Sequence, residues 1–418
     1  MNVRLTLTGL AIVAFFNSFA SDPTATEYSY TQCDGSFMPY QAPEKQLEIP
    51  DSLTPVFINH VGRHGARYPS SPKYVQGIQE MLHKADSLGT ITPLGRELMD
   101  MTEFVLEEGH NKWGALDSLG MAEQRGIASR MFMNFPRLFD NTSINAIATY
   151  APRCIMSMYQ FTHQLDRLNN HIDISTTSGR INSSLLRPFD VNTEYLDWRK
   201  ENAWEKTYNE LVVENVPEEP LRRILGKEFP LPDNWRKYAL DEYSFIAGMA
   251  AMGYNVDQSP YFTLKEYNEM WACANLKQYL VRTASTISTT PAEITSPLIL
   301  DLIRTGDEAV RGTSPVTVCL RFGHAETLMP LLAQLKVPGC YYMSNYFDTV
   351  AQHWRNFDVV PMAANLQMII LKSSKGKYYM MTLLNEKPVK LIPNDDRIII
   401  PYNKARDYMS SCVPAWAE

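Results

Sequence analysis

The chain has 418 residues, a formal net charge of −7, and 45% hydrophobic against 20% charged side chains. That is enough polypeptide for two domains or for one core with a large insertion, in the ordinary balance of a globular enzyme. The acidic total excludes the broad basic surface that nucleic acid needs, so no nucleic-acid partner is expected, and any polyanion would have to be met by a cationic patch confined to one cleft.

In chain order, Met1-Asn2-Val3-Arg4 is a short basic start, Leu5 to Phe16 is mostly apolar, and Ser18-Phe19-Ala20 offers a small-x-small cleavage pattern before Ser21. The run is too short to anchor in a bilayer, no cysteine follows the cut, and no later stretch is long and apolar enough to span one. Residues 1–20 are therefore expected to be a signal peptide, and the mature protein to be exported, periplasmic or secreted, with no membrane anchor. Residues 21–50 read as a loosely structured lead-in rich in polar and aromatic residues.

A strand at 55–61 runs into Arg63-His64-Gly65-Ala66-Arg67-Tyr68-Pro69. A histidine between two arginines at a strand end suits attack on phosphorus. The imidazole has to be neutral and aimed in line, and the phosphoryl oxygens need planar, permanently charged partners, which arginine supplies better than lysine. Arg63 and Arg67 lie one and three positions from His64, so a tight turn can aim all three into one pocket, and their charge disfavours protonation of the ring. Gly65 is expected to let the backbone pass close to bound phosphate, and Pro69 to stiffen the exit.

Helical stretches at 72–89 and 120–139 lead to a strand at 144–149, which delivers Arg153 at its carboxyl end, where ligand sites of open α/β sheets cluster. Residues 185–295 shift to helix. Thr263-Leu264-Lys265-Glu266 is a capping box, and Tyr267, Met270, Trp271 and Ala274 repeat at helical spacing as a core stripe. Arg180, Arg187, Arg199, Lys200 and Lys206 form a loose basic set, a solvated face from which one or two side chains could line a cleft roof.

The apolar segment Pro315 to Leu320 then runs into Arg321-Phe322-Gly323-His324-Ala325-Glu326-Thr327, with a helical pattern from Leu328 to Leu335. His324 can donate to a phosphate oxygen. Glu326 can protonate a departing alkoxide and later take a proton from water, and a bound phosphate would raise its pKa toward that role. Arg321 reads as a structural or rim residue. A hairpin of 366–371 and 378–383 around Lys375-Gly376 closes the sheet at an antiparallel edge.

Six cysteines in an exported chain permit disulfides. Cys154 and Cys319 read as free core residues, while Cys33, Cys340 and Cys412 are the better bridge candidates. No cysteine or histidine spacing suits zinc, and a histidine nucleophile in an arginine cradle needs neither metal nor cofactor, so none is expected.

RHGxRxP with a distant His-Ala-Glu resembles the branch of the histidine phosphatase superfamily that holds acid phosphatases and phytases. His-Ala-Glu, where most members carry His-Asp, is similar to the multiple inositol polyphosphate phosphatases. The likeness extends through Gly114 to Phe139, Pro152-Arg153-Cys154 with Ser157, and the blocks 360–366 and 383–387, and fades over 185–295. It implies His64 as the nucleophile that becomes a phosphohistidine, Arg63, Arg67, Arg153 and His324 as phosphate ligands, and Glu326 as the proton donor. Pro152 departs from relatives that carry histidine there; it fits an extended segment and removes one hydrogen bond.

The expected fold is α/β, a mostly parallel sheet with helices on both faces, built from 51–184 and 296–418, with a mainly helical insertion at 185–295. The implied partner is a small polyanion, inositol hexakisphosphate and lower inositol phosphates, handled by a monomer. Two other readings stay open: an exported acid phosphatase of broader range acting on sugar phosphates or other monoesters, and a phospholigand binder without turnover, which would need no Glu326. A mutase fits less well, since mutases keep water out and usually lack an export signal.

Overall fold

The computed structural model of the chain describes residues 27–140 and 142–415; the expected signal peptide at 1–20 lies outside them. Strand β1 runs from Leu53 to Arg63, and its last seven residues are all buried. Its apolar residues serve both faces, Phe57 and Val61 in one core and Ile58 in the other, which marks a central strand with both faces covered.

Around it lie β2 (Ser143–Ala148), β3 (Asp173–Ser178), β4 (Val318–Gly323), β5 (Asn365–Ser373), β6 (Tyr378–Leu384), β7 (Lys387–Val389) and β8 (Ile399–Pro401). The order is β3-β2-β4-β1-β5-β6-β7, with β8 also on β6. β3, β2, β4 and β1 pair in parallel, whereas β5 to β8 are all joined by antiparallel ladders. The expectation of a mostly parallel sheet is thus corrected to one divided between the two modes. The change of mode falls at β5, which follows the helical segments after β4 and enters antiparallel to β1; the tight turn at Gly376, with φ of 75°, then folds β6 back beside β5.

Helices Ser118–Asn134 and Pro152–Leu168 cover one face, placing Ile127, Met131, Met158 and Phe161 against Ile144, Val318, Leu320 and Phe322. Helices Ser296–Arg311 and Ala325–Gln334 cover the other through Leu298, Leu302, Leu328 and Leu332. Every described element between β3 and β4 is helical. The capping box at Thr263 starts the helix Leu264–Arg282, whose Tyr267, Met270 and Trp271 are buried in the same core as the second sheet face. Truncating one such aromatic costs about 3–5 kcal/mol, so this packing fixes the helices over the strand ends.

Two expectations are corrected here. The lead-in is not loose over its middle: Tyr30–Cys33 is a helical turn with a Ser29–Gln32 capping box, Gly35–Phe37 a 3₁₀ turn, and Cys33, Asp34 and Ser36 are buried. All six cysteines are free; the bridge candidates Cys33 and Cys340 are buried as small apolar side chains, and Cys412 has no sulfur partner. Among the described residues no helix is long and apolar enough to cross a membrane.

Candidate active site

β1 and β4 are hydrogen-bonded neighbours, with Arg63 opposite Gly323. The residues that follow, His64 and His324, therefore leave the sheet side by side, their ring centroids 5.6 Å apart and nearly perpendicular. The loop after β1 is held on every side. His64 N–H donates to the Gly323 carbonyl at 3.1 Å, and Ala363, in the left-handed region at φ 53°, donates its own N–H to the His64 carbonyl. Ala66 N–H donates to Oε2 of the buried Glu123 at 2.7 Å, and Gly65 N–H to Oγ of Ser157 at 3.2 Å. Gly65 is glycine because the Gly120 backbone crosses it: a Cβ at 65 would stand 2.5 Å from the Gly120 carbonyl oxygen. The close approach that requires glycine here is made to a helix.

Five of the six sequence-derived residues, Arg63, His64, Arg67, Arg153 and Glu326, line one cleft of about 290 Å³. His324 stands directly behind them, with Nδ1 at 3.3 Å from Nη2 of Arg153. Pro152 does not continue an extended segment; it opens the helix Pro152–Leu168, where proline suits the first turn, and so aims Arg153 into the cleft from a helix start. A larger cavity of about 720 Å³ adjoins the cleft across Ser36, Phe37, Lys277 and Gln278.

The charges are arranged for an anion. Burial, then the guanidinium groups of Arg153, Arg63 and Arg67, hold the His64 pKa well below its ordinary value, so the ring is neutral. Its Nδ1–H donates to the Gly65 carbonyl at 2.9 Å. A carbonyl can only accept, so this bond leaves the lone pair on Nε2. Arg63 is pushed down to about 9 by burial and then by Arg67, and Arg67 to about 10 by burial and then by Arg153; both remain charged at neutral and acidic pH. Nη1 of Arg63 donates to the Ser36 and Val360 carbonyls, each at 2.6 Å, which fixes that group. The Nε atoms of Arg63, Arg67 and Arg153 are buried without a protein acceptor.

His324 is also neutral, pushed down to about 3 by burial against the opposite pull of Glu326, with Arg153 and Arg187 adding to the fall. Nη1 of Arg187 donates to its Nε2 at 2.8 Å, which puts the ring proton on Nδ1, facing a guanidinium that can accept nothing. An anion's oxygen is the natural acceptor for that N–H. Glu326 departs from expectation: burial raises its pKa, but Arg282 above all, with a backbone hydrogen bond and Arg63 besides, works against it and the carboxyl lies down at about 2. The protein's own charges thus oppose the rise that a bound phosphate would cause.

Arg321 does not reach the cleft. It is buried against Asp301, with Nη2 to Oδ2 at 2.6 Å, and donates to Asn59 at 2.8 Å, as its structural reading implied. Of the loose basic set, Arg187 and Arg199 reach the site, Arg180 stacks on Tyr150, and Lys200 and Lys206 are exposed beside Asp197 and Glu210. Sequence reasoning missed Lys277 and Arg282 on the cleft wall, and Ser36 and Phe37 from the lead-in. Lys277, Gln278, Val281 and Arg282 follow at i, i+1, i+4 and i+5, a second helical face beside the aromatic stripe, and that spacing was the available signal.

The pattern of the histidine phosphatase superfamily (branch 2) matches residues 56–385. Multiple inositol polyphosphate phosphatase 1 of Gallus gallus is 25% identical over 380 residues, covering 86% of this chain and 82% of its own length. That of Homo sapiens is 24% identical over 414 residues, covering 89% and 83%. The solved structure of a Bifidobacterium longum multiple inositol polyphosphate phosphatase in complex with inositol hexasulfate aligns with a TM-score of 0.77 at 19% identity, over 93% of this chain and 98% of that one. The phytase from D. castellii aligns with a TM-score of 0.73 at 16% identity, over 92% and 85%. At these identities the structures bear on the fold alone.

Proposed function

This chain belongs to branch 2 of the histidine phosphatase superfamily, and we propose that within it the protein hydrolyses phosphomonoesters of inositol polyphosphates, inositol hexakisphosphate foremost, through a phosphohistidine at His64. One observation carries the reading: a neutral imidazole with its lone pair on Nε2 shares a cleft with three arginines and a carboxyl group.

Nε2 of His64 attacks phosphorus. The N–P bond forms, the ester P–O bond breaks, and Glu326 gives its proton to the departing inositol oxygen. Arg63, Arg67, Arg153 and His324 hold the non-bridging oxygens, where charge gathers as the bonds exchange. A water then attacks the phosphohistidine, Glu326 takes its proton, and the N–P bond breaks to release inorganic phosphate. Two effects favour Glu326 as a donor despite its low starting pKa. A phosphate dianion offsets the pull of Arg63 on it, and adds its own like charge nearby. The substrate class follows from the rim: Arg199, Lys277 and Arg282 line the same cleft beyond the transferred phosphate and offer partners to the other phosphates of a polyphosphorylated ring. The apolar start of the chain makes export, to a periplasm or outside the cell, part of the same proposal.

The test is incubation with inositol hexakisphosphate, resolving lower inositol phosphates over time and trapping the phosphoenzyme by rapid quench. Wild type is expected to give a base-stable, acid-labile phosphoenzyme that His64→Ala lacks, and Glu326→Gln to bind substrate while turning over about 10²–10⁴-fold more slowly. Normal turnover in His64→Ala would end the proposal. Faster release from glycerol 2-phosphate than from inositol hexakisphosphate would transfer it to monoesters in general.

A further inference from the structure

Glu326 has a second partner whose position bears on which substrates are cleaved. Nη2 of Arg282 lies 4.0 Å from Oε1 of Glu326. The guanidinium is anchored from behind, since its Nη1 donates to the Tyr195 hydroxyl at 2.7 Å and that hydroxyl donates to the Val281 carbonyl at 3.1 Å. Both partners keep accessible surface, 22% of the Arg282 side chain and 37% of that of Glu326, so an anion in the cleft can reach the pair.

We propose that Arg282 is a positioning residue that gates the proton donor: it holds Glu326 as a carboxylate until a second phosphate of the substrate draws it away, so that polyphosphates are selected over monoesters at the acid step. The inference rests on the function proposed above. It separates Arg282 from the other groups that act on Glu326, which are Arg63 and Arg67 after β1, His324 on its own turn, Tyr195 from the helix Thr193–Glu201 and Cys154 from the helix Pro152–Leu168. The arginines after β1 face the transferred phosphate, so any monoester cancels their pull, and His324 is neutral. Tyr195 and Cys154 are neutral in the working range, with pKa values raised by burial. Arg282 alone among these is a cation outside the transferred-phosphate set. Once it pairs with a neighbouring phosphate, Glu326 can take up a proton from solvent and pass it to the ester oxygen as the P–O bond breaks and the N–P bond forms.

The experiment measures kcat/KM against pH for inositol hexakisphosphate, glycerol 2-phosphate and 4-nitrophenyl phosphate in wild type, Arg282→Gln and Arg282→Lys. A cation at this range depresses a carboxyl by about 1–3 pH units. In Arg282→Gln the alkaline limb for glycerol 2-phosphate should therefore move up by about that much, raising its rate about 10- to 10³-fold at a pH above the wild-type limb. Inositol hexakisphosphate should slow in the same variant through loss of a contact. Arg282→Lys should return the limb toward wild type, and 4-nitrophenyl phosphate, whose leaving group needs no proton, should show no such shift. An unmoved limb for glycerol 2-phosphate, or equal losses on all three substrates, overturns the gate. Failure of wild type to cleave inositol hexakisphosphate would overturn the substrate reading instead, while the glycerol 2-phosphate limb would still decide the role of Arg282.

Discussion

Replacing Gly120 by alanine asks whether the nucleophile's position depends on the backbone contact beneath it. A methyl group at residue 120 would stand 2.1 Å from the Ala66 carbonyl oxygen and 2.7 Å from the Ala66 nitrogen. A relaxed carbon–oxygen contact needs roughly 3.4 Å, so helix and loop must part by about 1.3 Å. Neither is free to do so. The Asp117 carboxylate accepts from Gly120 N–H at 2.7 Å, Asp117 N–H donates to the Ala66 carbonyl, and Ala66 N–H is held by Glu123. The strain should cost about 1–3 kcal/mol of stability. Because Ala66 is two residues from His64, the shift should also displace the imidazole, and a misplacement of about 1 Å costs roughly 10²-fold in rate. The assay is kcat for phosphate release from inositol hexakisphosphate, with thermal unfolding of the same preparation. A folded Gly120→Ala protein that keeps kcat within threefold of wild type would refute the reasoning.

Two further outcomes concern buried charge. Arg321→Met should destabilise the fold by about 1–3 kcal/mol, because Asp301 loses Arg321 and is left with Arg304 alone as its ion-pair partner; kcat and KM below the unfolding range should stay within threefold, and a selective rise in KM would instead place Arg321 in the substrate site. Glu242 is fully buried, both its carboxylate oxygens lack a hydrogen-bond partner, and burial, only partly offset by Arg223, holds its pKa well above the usual range. A carboxyl raised on folding contributes stability that is complete below its unfolded pKa near 4.5 and is lost as pH rises toward the folded value, at about 1.4 kcal/mol per pH unit. Glu242→Gln should therefore flatten the fall in stability between pH 4.5 and 7, and denaturant melts in which wild type and variant fall in parallel would rule the group out.

The site was legible where chemistry is local. Arg63, His64 and Arg67 sit within five residues, and the strand-then-arginine and strand-then-histidine patterns around Arg153 and His324 each state their place at a strand end. The central strands were legible because β1 and β4 are apolar on both faces. β3 was not, because Asp173-Ile174-Ser175-Thr176-Thr177-Ser178 is an almost wholly exposed edge whose pairing is decided by β2. Ser36 was equally hidden: its contribution is a backbone carbonyl, which any residue type provides. Arg282 ends a helix whose apolar stripe dominates the pattern, and a basic last turn reads first as a partner for the helix dipole. The state of Glu326 depends on a contact 44 residues away in sequence, which no local pattern encodes.

The β1–β4 ladder has a consequence for how this molecule can vary. The two imidazoles are spaced by adjacent rungs of backbone hydrogen bonding, with Arg63 across from Gly323, and a slip of one rung would turn one ring to the opposite side of the sheet. Their spacing is thus set by the sheet, while the segment between β3 and β4 adds Arg187 against His324 and Arg282 against Glu326. Away from those side chains it can be lengthened, trimmed or recoloured in charge to suit a different alcohol, while the chemical step beneath it keeps its dimensions.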